Sequence, residues 1–142
     1  MSVHSGTDTI IHFVRSDLDK DPSACLTKID GVGAFDHIRR SCMLKKLYSL
    51  PRAKKLLPFV RLSYEDPSEF IWSDNHNEAH TIVQGHGGEQ GDPLMPSLFC
   101  LGLHDVLEGI GSTLREGEYL LAYLDDIYII QVGTELVFCM ML

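Results

Sequence analysis

Apolar residues follow two kinds of spacing along this chain, and each kind predicts a different element. Helical spacing predicts helices over residues 7–19, 35–49, 51–64 and 93–110. Short alternating or continuous apolar runs predict strands over 24–30, 69–73, 79–84, 119–124 and 127–132. Elements in this order favour an α+β fold, in which an antiparallel sheet has helices packed on one face.

Glycine is concentrated in one segment, GHGGEQGDPLMPSLF, which begins at Gly85. Four glycines within seven residues indicate a backbone that needs unusual dihedral angles or a close approach to another group. Asp92 and Pro93 then predict a helix start, with an acidic N-cap and a proline at the first position. Pro51 predicts the start of the helix over 51–64 in the same way.

Two adjacent aspartates, Asp125 and Asp126, interrupt the apolar stretch LLAYLDDIYII. A buried carboxylate needs a cation, a hydrogen-bond network or exposure to water. The flanking strands predict a hairpin with both aspartates at its tip, and Asp30 ends a different strand. If the two strands are neighbours, Asp30 and Asp125 converge at one sheet edge, where their oxygens would suit Mg²⁺, or Mn²⁺ in its place. The alternative is that Asp125 and Asp126 form an ordinary exposed turn.

Composition and charge narrow the class of protein. A chain of 142 residues, 44% of them hydrophobic, fits one globular domain, and no apolar run is long enough to predict a membrane span. The start carries no secretory signal and the four cysteines form no CxxC pair, so an intracellular, reducing compartment is expected. The net charge of −8 argues against a free-standing nucleic-acid binder, but not against a polymerase core with an acidic metal centre. Basic residues concentrate between Arg39 and Arg61, either on solvated helix faces or as the basic neighbours that such a centre needs.

Three segments follow one another in the order of the central palm motifs of reverse transcriptases. They are DGVGAFDHIRR, in which Asp30 lies five residues before Phe35, then GGEQGDPLMPSLF, then AYLDD. As an ordered set, D-x4-F, Q-G-D-P and aromatic-x-D-D resemble the reverse transcriptases of non-LTR retrotransposons. The resemblance extends over roughly residues 5–132.

The resemblance implies a role for each matching residue. The catalytic and metal-binding residues, for Mg²⁺ or Mn²⁺, are implied to be Asp30, Asp125 and Asp126. Phe35 is implied to pack under the incoming sugar and exclude a 2′-hydroxyl, and Gln90 and Gly91 are implied to contact the nucleotide and template. The implied reaction is two-metal nucleotidyl transfer, which adds deoxynucleotides to a DNA primer on an RNA template. An ordinary core role for Phe35 and a turn role for Gln90 remain alternatives.

The same resemblance divides the chain into a fingers remnant over 1–23, a palm core over 24–133 and an atypical apolar tail over 134–142. The basic fingers and the thumb of such polymerases have no counterpart, so we expect a fragment of a right-hand polymerase that is inactive in isolation. Exposed apolar faces are expected to favour self-association. Two alternatives stay open, a catalytically inactive remnant and a small metal-binding or interaction module with a palm-like fold. His76 and His80 are spaced H-x3-H, but no second cluster supports a zinc site.

Overall fold

The chain forms two compact units of mixed α and β structure. The computed structural model describes residues 6–89 and 91–133. Of these, the first unit contains 6–32 and 106–133, and the second contains 33–89 and 91–105. Both units contain an antiparallel sheet and helices, as the sequence predicts. Within the described ranges, no helix is long and apolar enough to cross a membrane.

The first unit is built on a three-stranded sheet. Its strands are β1 (Ala24–Asp30), β4 (Tyr119–Tyr123) and β5 (Asp126–Val132), arranged in the order β1-β5-β4. Helix α1 (Gly6–Lys20) packs against β4, where the rings of Phe13 and Tyr119 meet edge to face at 5.0 Å. The central strand β5 is the most buried and is rich in isoleucine, whose branched side chain suits a pleated sheet.

The second unit is mostly helical. Its elements are α2 (Ala34–His37), α3 (Arg40–Ser49), a 3₁₀ helix (Lys54–Leu56), α4 (Leu57–Tyr64), the hairpin β2 (Ser68–Ser73) and β3 (Ala79–Gln84), and the part of α5 (Met95–Gly111) before residue 106. Its core is formed by apolar side chains from three helices, namely Met43, Leu47, Val60, Tyr64, Met95, Leu98 and Phe99. These positions recur at helical spacing, so burial of one face of each helix holds the unit together.

A buried arginine connects three separate segments of the second unit. Arg40 is only 5% exposed. Its Nε donates to the Gly87 carbonyl at 2.9 Å, Nη1 to the Asp66 carbonyl at 2.8 Å, and Nη2 to the Ser68 hydroxyl at 3.1 Å. The guanidinium also lies 5.3 Å from the centre of the Tyr64 ring. The buried charge is thus satisfied by neutral oxygens and a ring face.

The glycine-rich loop passes so close to its neighbours that side chains are excluded. Gly87 has a φ of +67°, and a Cβ there would lie less than 3.0 Å from the backbone of Asp36. A Cβ on Gly88 would lie less than 3.0 Å from the side chain of Met95. The predicted need for glycine therefore has a physical cause at both positions, close backbone approach and, at Gly87, a left-handed conformation.

The helix predicted over 35–49 is wrong in one respect, because it is broken into α2 and α3. Ile38 and Arg39 are extended, with ψ values of 136° and 119°. The Gly88 and Gly87 amides donate to the carbonyls of Phe35 and Ile38, at 3.2 and 2.8 Å. The glycine-rich loop thus uses carbonyl oxygens that a continuous helix would need for its own hydrogen bonds.

Two predicted helix starts lie too early in the chain. Residues 51–53 form turns, and α4 begins at Leu57 with Pro58 in its first turn. Asp92 and Pro93 likewise precede the helix, because the Asp92 side chain accepts the Leu94 amide at 2.8 Å and closes a turn. Helix α5 begins at Met95, and Pro96 occupies its first turn. In both cases a second proline lies where the helix tolerates a missing N–H.

The antiparallel strands form two sheets, since β2 and β3 pair only with each other among the described strands. The predicted hairpin tip also shifts by one residue. Leu124 and Asp125 form the turn, whereas Asp126 is the first residue of β5 and pairs with Tyr123. The strand over 24–30 agrees with β1 at both ends.

Replacing Arg40 by methionine should destabilise the protein by about 2–4 kcal/mol, because it leaves the buried oxygens around the guanidinium without donors. Urea denaturation followed by circular dichroism measures the change. The matched control is Arg39→Met, since Arg39 is exposed and should change stability by less than about 0.5 kcal/mol. Equal losses in the two variants would show that the Arg40 network does not hold the unit together.

Candidate functional site

A strained two-residue turn carries one of the predicted metal ligands. Tyr123 pairs with Asp126 across the turn, and Leu124 has a φ of +57°. A left-handed conformation costs a leucine about 1–2 kcal/mol. A positive φ at the first turn position fits the tight hairpin turns that follow the twist of the sheet. The turn therefore fixes the backbone of Asp125 at the end of the sheet at some cost in strain.

Two of the predicted aspartates lie directly opposite each other on neighbouring strands. Asp30, the last residue of β1, is in register with Asp126, the first residue of β5. Residues opposite each other in an antiparallel pair point to the same face, and like charges there repel. The condition set from the sequence, that the two strands are neighbours, is met, although the residue facing Asp30 is Asp126 and not Asp125.

A lysine on the same face partly neutralises this pair. The Lys28 ammonium lies 2.9 Å from a carboxylate oxygen of Asp126. The hydrogen bond to Asp126, followed by the charges of Asp126 and neighbouring groups, raises the pKa of Lys28 above its ordinary value. Both side chains are substantially exposed, at 49% and 40%, so the pair adds little to stability. The Asp126 carboxylate is thus in contact with one cationic group of the protein.

The three aspartates do not form a closed cage. Among residues 6–89 and 91–133, oxygens of Asp30, Asp125 and Asp126 are not all within 4.8 Å of one another. Within the same ranges, neither the Asp30 nor the Asp125 carboxylate takes part in a hydrogen bond or ion pair. Asp30 nevertheless lies close enough to the Lys28 ammonium for their charges to attract each other.

His80 belongs to a different arrangement, in the β2–β3 turn. Its Nε2 lies 3.1 Å from Asp74, whose other oxygen accepts the amides of His76 and Glu78. Asp74, Glu78 and His80 lie close together, but the His80–Asp74 contact and the two amide bonds account for this cluster as a turn. In this cluster His76 contributes its backbone amide and not its ring. The H-x3-H spacing therefore supplies no pair of histidine ligands for zinc.

The second unit contains a pocket of about 470 Å³. Its lining residues are Phe35, Asp36, Gly88, Glu89, Gly91, Asp92, Met95 and Pro96. Two of the three residues that the resemblance assigns to the nucleotide, Phe35 and Gly91, thus line one cavity. The third, Gln90, lies outside the described residues. Gly91 has a φ of +95°, a conformation that a side chain would strain.

Phe35 has one face on the core and borders the pocket. Its ring stacks on that of Phe99, with centroids 4.2 Å apart and planes 14° from parallel. Phe35 is half-buried, and Phe99 is only 1% exposed. The two interpretations of Phe35 from the sequence are therefore compatible, since core packing fixes the orientation of a ring that borders the cavity.

Tyr64 is a buried residue that sequence reasoning missed, and it contacts Asp92 in the pocket lining. Its buried hydroxyl donates to the Asp92 carboxylate and accepts the Glu89 amide, so it connects the two ends of the segment that contains Gly91. Burial, followed by the bond to Asp92, raises the pKa of Tyr64 to about 12. The available signal was a tyrosine at a helical core position, because a buried phenol needs a polar partner.

Two comparisons with known proteins identify the same class of protein. A family model described as reverse transcriptase (RNA-dependent DNA polymerase) matches residues 3–137. The retrotransposable element SLACS 132 kDa protein of Trypanosoma brucei gambiense is 30% identical over 111 residues, which is 78% of this chain and 9% of that protein. The chain therefore spans about a tenth of the length of this curated relative.

Replacing Tyr64 by phenylalanine should cost about 1 kcal/mol at neutral pH, because it removes the hydroxyl that bridges Glu89 and Asp92. The raised pKa means that the folded state favours the protonated phenol. Its contribution is complete below pH 10 and is lost as the pH rises towards 12. Urea unfolding at several pH values should therefore show the difference between wild type and variant shrinking above pH 10. A difference independent of pH would contradict the bridge, and Tyr48→Phe, at an exposed tyrosine, is the control.

Proposed function

We propose that this chain, which belongs to the reverse transcriptase family, forms the palm core of an RNA-directed DNA polymerase of a retroelement. One observation carries the proposal. Asp30 and Asp126 face each other at the end of neighbouring strands, beside the turn that holds Asp125. Because the chain corresponds to 9% of its curated relative, catalysis by the two-metal mechanism is proposed for the centre to which these residues contribute.

The residues present suit a divalent metal. Asp30, Asp125 and Asp126 offer carboxylate oxygens, the ligands that Mg²⁺ prefers and Mn²⁺ accepts. Without a metal ion, the Lys28 ammonium supplies the positive charge beside Asp126. Bound Mg²⁺ ions would supply electrostatic stabilisation of the charge that develops on the attacking and leaving oxygens. The protein would contribute the fixed backbone of the turn and the pairing of β1 with β5.

The pocket of the second unit is proposed to take the deoxynucleoside triphosphate. The Phe35 ring would pack against the sugar and leave no room for a 2′-hydroxyl. Gly91, which has no side chain, would allow the backbone to approach the nucleotide, and Gln90 is proposed as its neighbour in the same contact. Three acidic residues, Asp36, Glu89 and Asp92, line this cavity, so a triphosphate would need to enter together with cations. RNA template and DNA primer are the proposed partners.

Self-association stays a prediction. On α4, Phe59 is 59% exposed and Leu62 is 88% exposed. These two side chains add apolar surface that another copy of the chain would cover.

Replacing Asp30 or Asp125 by asparagine should weaken Mn²⁺ binding about tenfold, because each removes one charged ligand. Lys28→Gln should have the opposite effect, since it removes the ammonium that competes for Asp126. Isothermal titration calorimetry on the purified chain measures both changes. Asp19→Asn, at an exposed site on α1, removes the same charge and should leave binding unchanged. Equal affinities in all four variants would count against this metal site.

Primer extension tests the proposed reaction. The purified chain is incubated with an RNA template, a DNA primer, deoxynucleotides and Mg²⁺ or Mn²⁺. The proposed function predicts extension that Asp125→Asn abolishes and Asp19→Asn retains. No extension by folded protein that binds Mn²⁺ would favour the alternative, a catalytically inactive remnant or a metal-binding module.

A further inference from the structure

Positive charge is concentrated in one segment of this acidic chain. Between residues 37 and 64 lie eight of the 12 lysines and arginines, and none of the 20 acidic residues. The segment therefore carries a formal charge of +8, while the rest of the chain carries −16. All of it lies in the second unit and forms α3, the 3₁₀ helix and α4.

Three of the eight cations have hydrogen-bond or ion-pair partners within the chain. Arg40 is buried in its hydrogen-bond network, Lys46 pairs with Asp105 at 2.6 Å, and Arg61 pairs with Glu65. The other five are exposed and form no ion pair with any residue in 6–89 or 91–133. Four of them lie between the middle of α3 and the 3₁₀ helix, and we call Lys45, Arg52, Lys54 and Lys55 the basic patch.

An exposed aromatic ring lies within the basic patch. Tyr48 is 58% exposed, and the Lys54 ammonium lies 4.0 Å from the centre of its ring. Lys45 lies one helical turn before Tyr48, so both belong to the same side of α3. The amides of Ala53 and Lys54 donate to the Leu50 carbonyl at 3.1 and 2.8 Å. The protein's own hydrogen bonds thus hold the backbone at Ala53 and Lys54 in place.

An ordinary solvated helix face would not explain this composition. Such faces usually mix lysine with glutamate, because pairs of opposite charge stabilise a helix and like charges destabilise it. Here the four cations lie close together along the chain, in a segment without an acidic residue, and of the four Lys45 interacts with a carboxylate from elsewhere, that of Asp105. A polyanion would relieve the repulsion among these cations, and an exposed tyrosine among lysines offers a base a surface to stack on.

We propose that the basic patch binds the phosphodiester backbone of a single nucleic-acid strand, with Tyr48 stacking on one of its bases. The inference rests on the proposed function for the identity of the partner, since a reverse transcriptase must hold a template. The chemistry is shared by RNA and DNA, so the experiment compares them directly.

The experiment is fluorescence anisotropy with labelled single-stranded RNA, single-stranded DNA and an RNA–DNA hybrid, at several NaCl concentrations. The patch variant replaces Arg52, Lys54 and Lys55 by glutamine. The control variant replaces Arg15, Lys20 and Arg115, which are exposed elsewhere, by glutamine, so both have the same net charge. Circular dichroism confirms that each variant is folded, and Mn²⁺ titration confirms that the aspartates are unaffected.

We expect the patch variant to bind single-stranded RNA at least about tenfold more weakly at about 50 mM salt, and its salt slope to fall by about 2, as the loss of three phosphate contacts requires. The control variant should bind nearly as wild type does. Tyr48→Ala should weaken binding to single strands more than to the hybrid, and Tyr48→Phe should restore it.

Equal losses in the patch and control variants would overturn the proposal, because net charge alone would then explain binding. Binding to vesicles of anionic lipid but to no oligonucleotide would also overturn it, in favour of a membrane surface. If the patch variant binds no more weakly than the control while primer extension still depends on Asp125, the strand-binding proposal is rejected and the proposed function stands. If the protein binds strands through the basic patch but extends no primer, the proposed function is rejected and the strand-binding proposal stands.

Discussion

The second unit depends on one buried cation, the guanidinium of Arg40. A charge with almost no exposure is stable only when each of its donors finds an oxygen. Those oxygens belong to Asp66, Ser68 and Gly87, which lie far from Arg40 along the chain. The same contact brings the glycine-rich loop against the link between α2 and α3. The fold around the pocket is therefore set by the need to satisfy a charge as much as by apolar burial.

The first unit has the opposite constraint, because its sheet ends in negative charge that it does not neutralise fully. Asp30 faces Asp126, and one lysine, Lys28, pairs with Asp126 and attracts Asp30 only at longer range. The adjoining turn places Leu124 in a left-handed conformation. Neither feature helps folding, since like charges repel and a leucine is strained there. Features that oppose folding are typical of functional sites. The functional proposal therefore rests on these residues.

The sequence was most informative where local signals decide the structure. The strand over 24–30 was predicted with its correct ends, because its apolar pattern is bounded by Pro22 and Gly31. The break between α2 and α3 was not predictable, because it depends on hydrogen bonds from the distant Gly87 and Gly88. Arg40 and Tyr64 were missed for the same reason, since only the folded chain shows which oxygens and amides a buried polar group reaches. The motifs identified the aspartates, but the register in which Asp30 faces Asp126 is seen only in the folded chain.

The separation of charge along the chain follows from the chemistry that it is proposed to serve. A polymerase must attract two kinds of polyanion, a nucleic-acid strand and a triphosphate, although its metal centre is itself acidic. Carboxylates repel both until metal ions arrive, so they cannot provide the first attraction. A basic segment without a single acidic residue can provide it, and backbone contacts of this kind do not depend on base sequence. Metal binding and strand binding would therefore place opposite demands on surface charge, and in this proposal different segments of the chain meet them.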